Sequence, residues 1–422
     1  MLDRRAFLKA GGVAVLTVGA GPTFLERAAA LAATPAAHTR RKTLVTIFQR
    51  GAMDGLMAVP PLGGAFERDL RRLRPRLAMD ASRQSADGTL DLGVDFGLHS
   101  AFSDLLPMWK EGRMGIVHCV GSPDPTRSHF DAQDYMETGT PGRKGTPDGW
   151  LNRVAGHLGH DATPFRAVSM TPALPRSFYG DAPALAVTNL RNLKVDLPGA
   201  RAASEAAGEG FEALYEQASE DVLRDTASET FEAIDLLQKL DVGRYRPAAG
   251  ARYPRSPLGR ALQQIAFLVK SDVGLEIAFA ESAGWDTHVQ QGTTNGSFAR
   301  QARDLSQAIA AFWADLGQHR DDVTVLTMTE FGRTAAENGT GGTDHGHGSC
   351  LFALGNDVDG GKVHGRFPGL DRDVLYEGRD LPVTTDFRSV FADVAGKTFG
   401  LPDDAPIFPE WSGARLPLIR GA

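Results

Sequence analysis

The stretch Glu281-Ser282-Ala283-Gly284-Trp285-Asp286-Thr287-His288 carries a carboxylate and an imidazole two residues apart. In an extended segment residues i and i+2 point to the same side, so Asp286 and His288 can close on one cation. A second run, Thr343-Asp344-His345-Gly346-His347-Gly348, repeats the alternation, with glycines on both sides of His347 that permit close backbone approach. Carboxylate oxygen plus imidazole nitrogen is a ligand set for zinc, manganese or iron. The expected cofactor is one or two divalent ions per chain, zinc first. The pattern is neither HExxH nor paired CxxC, so it points to a metal without specifying a known motif. The plain alternative is that these are surface or hydrogen-bonding loop histidines.

Three other segments could complete a site. In Gln49-Arg50-Gly51-Ala52-Met53-Asp54-Gly55 the glycines leave Asp54 projecting, as a metal carboxylate or a turn residue. In Thr329-Glu330-Phe331-Gly332-Arg333-Thr334, Glu330 is a further ligand, a general base, or the ion-pair partner of Arg333. Arg333 can grip an anion with its fork of donors. In Thr126-Arg127-Ser128-His129-Phe130-Asp131, Ser128 stands three residues before Asp131, a variant of the helix capping box. A hydroxyl at a helix N-terminus beside a metal is also a nucleophile in waiting, because dipole and metal both stabilise its alkoxide. Arg50, Arg127 and His129 are the candidate contacts for the substrate's anion.

Positioning these residues calls for strands that end beside them. Short β-branched and apolar runs occur at 43–48, 115–120, 167–170, 184–188, 275–280, 323–328 and 350–354, alternating with helical periodicity at 101–111, 129–138, 150–158, 256–271, 297–316 and 386–399. The alternation predicts an α/β sheet with helices on both faces, with functional residues just past the strand ends. Residues 201–240 read as one or two further helices. The organisation expected is a single domain over 33–422 with a helical cap inserted at 201–257.

The chain has 422 residues, 42% hydrophobic and 23% charged, with 48 Gly, 24 Pro and 2 Cys, which excludes a disordered chain, a collagen repeat or a disulfide scaffold. Residues 1–32 combine Arg4-Arg5, a short apolar run from Ala10 to Gly21 and an Ala-Leu-Ala end at 30–32, which resembles a twin-arginine export signal. The expected partner during export is the twin-arginine translocase, and the mature protein would work in the periplasm or outside the cell. The leader carries +2 and the remainder −9, so the body has no general field for nucleic acid or an anionic membrane surface. No segment is long and apolar enough to span a bilayer. Cys119 and Cys350 sit in strand-like runs, as packed thiols or as a disulfide if the strands face each other.

The order Arg-Gly-x-x-Asp-Gly, Ser-His-Phe-Asp-Ala-Gln-Asp, Gly-Trp-Asp-Thr-His, Thr-Glu-Phe-Gly-Arg-Thr and Gly-Thr-Asp-His-Gly, closing on Thr385-Asp386-Phe387, resembles the exported bacterial family catalogued as domain of unknown function 1501. That family is grouped with the alkaline phosphatase and sulfatase superfamily, which implies an alkaline-phosphatase-like α/β domain hydrolysing phosphate or sulfate esters, usually with two divalent metals. The resemblance puts Asp54 at the first-strand metal carboxylate and Ser128, or in second place Thr126, at the nucleophile. It puts Asp286 and His288 at an Asp-x-x-x-His metal pair with shortened spacing, Glu330-Phe331-Gly332 where the superfamily has Asp-His-Gly, and His345 or His347 at the final metal histidine. Phe331 therefore replaces a ligand, and no C/S-x-P/A-x-R stretch exists for a formylglycine sulfatase.

The function expected is a periplasmic metal-dependent hydrolase of an anionic small-molecule ester, with Ser128 and Arg333 in catalysis and Asp54, Asp286, His288, Glu330, His345 and His347 at the metals. The alternative is a non-catalytic exported metal-binding or scaffold protein on the same fold. An oxidoreductase is disfavoured by the lack of a dinucleotide glycine fingerprint, a haem CxxCH or an iron-sulfur cysteine set.

Overall fold

The computed structural model describes residues 8–10, 13–15, 41–80, 88–160, 162–192 and 242–421. Of the expected leader, two short antiparallel strands, β1 (Leu8–Ala10) and β2 (Val13–Val15), fall among them. The helices expected over 201–240 lie outside the described residues. The described part of the expected cap contains one 3-10 turn, Val242–Arg244.

The remaining strands are β3 (Thr43–Arg50), β4 (Thr89–Asp91), β5 (Gly97–His99), β6 (Met114–Gly121), β7 (Ala167–Ser169), β8 (Leu185–Ala186), β9 (Ile277–Ala283), β10 (Val323–Met328), β11 (Ser349–Leu354), β12 (Lys362–His364) and β13 (Thr385–Asp386). β4 and β5 form a small ribbon of their own. The other nine form one sheet in the order β12-β6-β11-β10-β3-β9-β7-β8, with β13 also on the edge of β6. Every neighbouring pair is parallel except the two made by β11. β11 runs backwards for a reason visible in the chain. A parallel partner needs a crossover, usually helical, whereas residues 329–348 between β10 and β11 contain no helix. That loop stays at one edge of the sheet, where Arg333 bridges His345.

Successive side chains of a strand point to opposite faces, and here both faces are covered. Val45 and Ile47 of β3 join one core with Leu262 and Ile265 of the helix Pro257–Lys270 and with Ile309 and Phe312 of the helix Ser297–Leu316. Leu44 and Phe48 join the other, with Leu151 and Val154 of the helix Trp150–His157 and with Val390 and Phe391 of the helix Phe387–Phe399. Continuous burial of β3, β6, β10 and β11 follows from this double cover. The expected α/β sheet with helices on both faces is therefore what the chain forms.

All seven expected sheet strands are present. The helix expected over 101–111 divides into a 3-10 segment, Ser100–Leu105, and the helix Leu106–Lys110, with Pro107 in the first turn of the second piece, where its missing N–H costs nothing. The unexpected helix Gly64–Leu73 buries only Leu70, so its apolar signal is faint. Cys119 and Cys350 are buried free thiols. No helix among the described residues is long and apolar enough to cross a membrane.

Candidate metal centre

Three loops at the carboxyl edge of the sheet bring three imidazoles around one carboxylate. His129 opens the helix His129–Thr138, whose N-cap is Ser128. His288 and Asp286 follow β9, and His345 lies in the loop before β11. Gly51, at φ +112°, lets the end of β3 pass beneath Asp286, since a Cβ there would stand 2.5 Å from the Asp286 amide nitrogen. Gly346 does the same between the two arms of the 329–348 loop, where a Cβ would lie 2.3 Å from the Arg333 carbonyl carbon.

Each histidine is held through Nδ1. That atom of His129 is 2.9 Å from Glu330 Oε1, that of His345 is 3.0 Å from the Arg127 carbonyl oxygen, and that of His288 is 3.1 Å from Asp344 Oδ1. Carbonyl and carboxylate oxygens only accept, so Nδ1 carries the proton and Nε2 faces inward. The inward nitrogens meet Asp286: His129 Nε2 is 3.7 Å from Oδ2, and the Nε2 atoms of His288 and His345 are 3.1 and 3.4 Å from Oδ1. His288 and His345 are 2.8 Å apart through their Nε2 atoms. Ligand atoms of His129, Asp286 and His345 all lie within 4.8 Å of one another. His129 Nε2 is buried without a hydrogen-bond partner. A bare, oriented imidazole nitrogen aimed at a carboxylate is what a metal ligand requires, and ligating histidines usually carry a second partner of this kind on the other nitrogen. The residues present therefore fit a divalent ion.

The surroundings tune these groups. Burial would raise the Glu330 carboxyl, yet hydrogen bonds from His129, Gln133 and the Gly51 amide hold it below the ordinary carboxylate range. The hydrogen bond to Glu330 in turn raises His129, against the opposing effect of burial. Burial also works to raise Asp286, but Arg333 at 2.5 Å keeps it low. His345 is lowered by burial, then by the nearby Arg333, His129 and His288 charges. Phe331 lies 4.9 and 5.0 Å from the rings of His129 and His345, forming an apolar wall under them.

The other expected site residues are placed differently. Asp54 is fully buried but not in this group: it caps the helix Gly55–Ala58 through the Met57 amide at 3.1 Å, and accepts from Arg74 at 2.8 and 3.0 Å and from Gln291 at 2.8 Å. Glu330 stands one hydrogen bond outside the cluster, behind His129. His347 is buried and stacked on Tyr376 at 4.7 Å. Ser128 is exposed and accepts from the Asp131 amide at 3.5 Å, the bond of a helix cap. Arg333 is wholly buried and pairs with Asp286 rather than Glu330, while donating to the carbonyl oxygens of Ala52, Trp285 and Thr343. Arg50 is paired with Glu137 and Glu281, and Arg127 with Glu377 and Asp380. The sequence reading made His129 a substrate contact, whereas the geometry puts it among the ligand candidates. Arg74 and Gln291, which neutralise and hold Asp54, carry no motif that would have disclosed them.

No curated protein matches the chain. Among solved structures it is similar to the structure of PH0037 protein from Pyrococcus horikoshii, at 12% identity over 75% of this chain and 86% of that chain, with a TM-score of 0.26. At that level the likeness gives no residue a role. Residues 113–408 match the family described as protein of unknown function (DUF1501), and the chain belongs to that family.

Proposed function

We propose that this chain is an exported metal-dependent hydrolase of an anionic phosphate or sulfate ester, built around one divalent ion, zinc first. The observation that carries the reading is the convergence of three Nδ1-anchored histidines on Asp286, with His129 Nε2 left without a partner. His129, Asp286 and His345 would hold the ion, and His288, whose Nε2 lies 2.8 Å from that of His345, would be a fourth ligand or a proton carrier beside it. A metal bound there would supply Lewis-acid polarisation of an ester oxygen and acidify a neighbouring water. The chain's own part is to fix the ligands, with Glu330, the Arg127 carbonyl and Asp344 behind the histidines and Arg333 behind Asp286. Export through the translocase and work in the periplasm or beyond rest on the Arg4-Arg5 leader. Among the described residues, His129, Asp286 and His345 form such a group, and one ion is the count this reading takes.

A second reading, a non-catalytic exported metal-binding protein, is favoured by the pairing of Arg50, Arg127 and Arg333 with carboxylates and by Ser128 serving as a cap. One experiment separates the two. Metal content is measured on the exported wild type and on His129→Ala/His345→Ala, followed by an ester screen. About one ion per chain, absent from the variant, with ester turnover that follows the metal, supports the hydrolase. Bound metal without turnover supports the second reading, and no metal uptake overturns both.

A further inference from the structure

His129 and His288 are each backed by a carboxylate, Glu330 and Asp344, but His345 is backed by a main-chain carbonyl. That carbonyl belongs to Arg127, in the segment 122–128 between β6 and the helix His129–Thr138, which is neither strand nor helix. A carbonyl there has no ladder of backbone bonds to fix its direction, so side chains must do so.

The Arg127 side chain ends on Asp380, whose carboxylate is fully buried: Nε and Nη2 donate to Oδ2 at 3.1 and 2.6 Å. The other oxygen, Oδ1, accepts from Arg379 Nε at 3.0 Å, and Arg379 Nη2 donates to the main-chain carbonyl of His345 itself. One carboxylate thus holds a single histidine from two sides. Through Arg127 it fixes the acceptor on Nδ1, and through Arg379 the backbone that carries the ring.

The main chain meets at the same place. Asp380 exchanges backbone hydrogen bonds with Tyr376 at 2.8 and 3.0 Å and bridges Thr334, whose amide donates to the Asp344 carbonyl at 2.9 Å. Arg127 also reaches Glu377 at 2.6 Å, but that carboxylate is exposed, and an exposed ion pair holds little. Burying charges against one another returns little net stability over apolar packing. What the Asp380 arrangement does set is where two guanidiniums stand.

We infer that Asp380 is a positioning residue for His345: through Arg127 and Arg379 it sets how firmly the centre holds a divalent ion without being a ligand itself, a role that rests on the metal-centre reading.

The test uses the full-length protein and zinc alone, titrated in competition with a chromophoric chelator. Cobalt(II) in place of zinc gives a second readout, because its visible absorption depends on the number and arrangement of its ligands. Asp380→Asn keeps the shape of the side chain and removes its charge. It is expected to weaken zinc binding about tenfold, the lower end of the range for a residue behind a ligand, since an arginine stands between, and to change the cobalt spectrum. Arg379→Gln, at a side chain 43% exposed, removes one of the two arms and is expected to weaken zinc about threefold. It decides the matter where Asp380→Asn does not fold. Asp393→Asn is the control: Asp393 is also a buried carboxylate, accepting from the Leu418 and Ile419 amides at 2.8 Å and paired with Lys397 at 3.0 Å. It should lose stability in urea with zinc affinity and cobalt spectrum unchanged. Zinc weakened in Asp380→Asn and Arg379→Gln but not in the control supports the inference. Binding unchanged in both, or weakened equally in the control, overturns it and leaves the centre intact. A wild type that takes up neither ion overturns the metal-centre reading and the role of Asp380 with it.

Discussion

The carboxylate of Glu330 stands 2.9 Å from His129 Nδ1 and so turns the ring's other nitrogen toward Asp286. The acid is fully buried and receives further hydrogen bonds from Gly51, Gln133 and Thr329. In the proposed centre it would act through His129 rather than by contact with an ion. Glu330→Gln is expected to weaken zinc binding about 10- to 100-fold, the usual effect of removing the partner behind a ligating histidine. Competition titration against a chromophoric chelator measures it. Unchanged affinity would remove Glu330 from the positioning role.

Asp54 tests the same distinction from the opposite side. Its ion pair with Arg74 is buried on both partners, and breaking such a pair from one end leaves an uncompensated charge at a cost of about 3–5 kcal/mol. Asp54→Asn should therefore lower unfolding stability by roughly that amount in urea while the folded protein keeps its full zinc content. Loss of zinc with stability preserved would instead make Asp54 a ligand.

How much of this was legible in the sequence follows from which physical signals are local. The strands announce themselves because β3, β6, β10 and β11 are buried on both faces and so read as short runs rich in apolar and β-branched residues, rather than as a strict apolar and polar alternation. Asp286 and His288 share a cluster because alternation in an extended segment is a local rule. The role of Asp54 was not legible, since its partners Arg74 and Gln291 lie 20 and 237 residues away in the chain. Glu330 and Arg333 are close in sequence, yet Arg333 is turned to Asp286 by the carbonyl oxygens of Ala52 and Trp285. The reversal of β11 was readable in principle, from the missing helix between β10 and β11.

Acid sensitivity should come from two histidines remote from the candidate centre. His118 uses both ring nitrogens as a neutral group, with Nε2 3.0 Å from the Val59 carbonyl and Nδ1 accepting from the Cys119 amide at 2.9 Å. Burial lowers it to about 4, and His99 likewise to about 4. In the unfolded chain both take a proton near the ordinary value of 6.5. The unfolded state thus binds more protons between pH 6.5 and 4, and stability is fully present above 6.5 and falls through that window. At roughly 1.4 kcal/mol per pKa unit, each ring contributes about 3 kcal/mol across it. Urea unfolding at several pH values would show the slope, and His118→Asn should reduce it by about half. A flat profile from pH 7 to 4 would contradict the burial of both rings as neutral groups.

Arg333 separates structural tethering from anion binding. Its guanidinium joins the end of β3, the Trp285–Asp286 turn and the Thr343 carbonyl in one fork. A lysine keeps the charge but cannot reproduce that geometry. Arg333→Lys should therefore release Asp286, weaken zinc binding about tenfold or more, and lower the melting temperature even without ligand. If Arg333 instead gripped the substrate's anion, the same change would raise KM for an ester substrate and leave zinc affinity and melting temperature where they were. Its complete burial and its bond to Asp286 at 2.5 Å favour the first outcome, because a guanidinium already committed to a carboxylate and to the carbonyl oxygens of Gly51, Ala52, Trp285 and Thr343 has no donor face to offer a ligand.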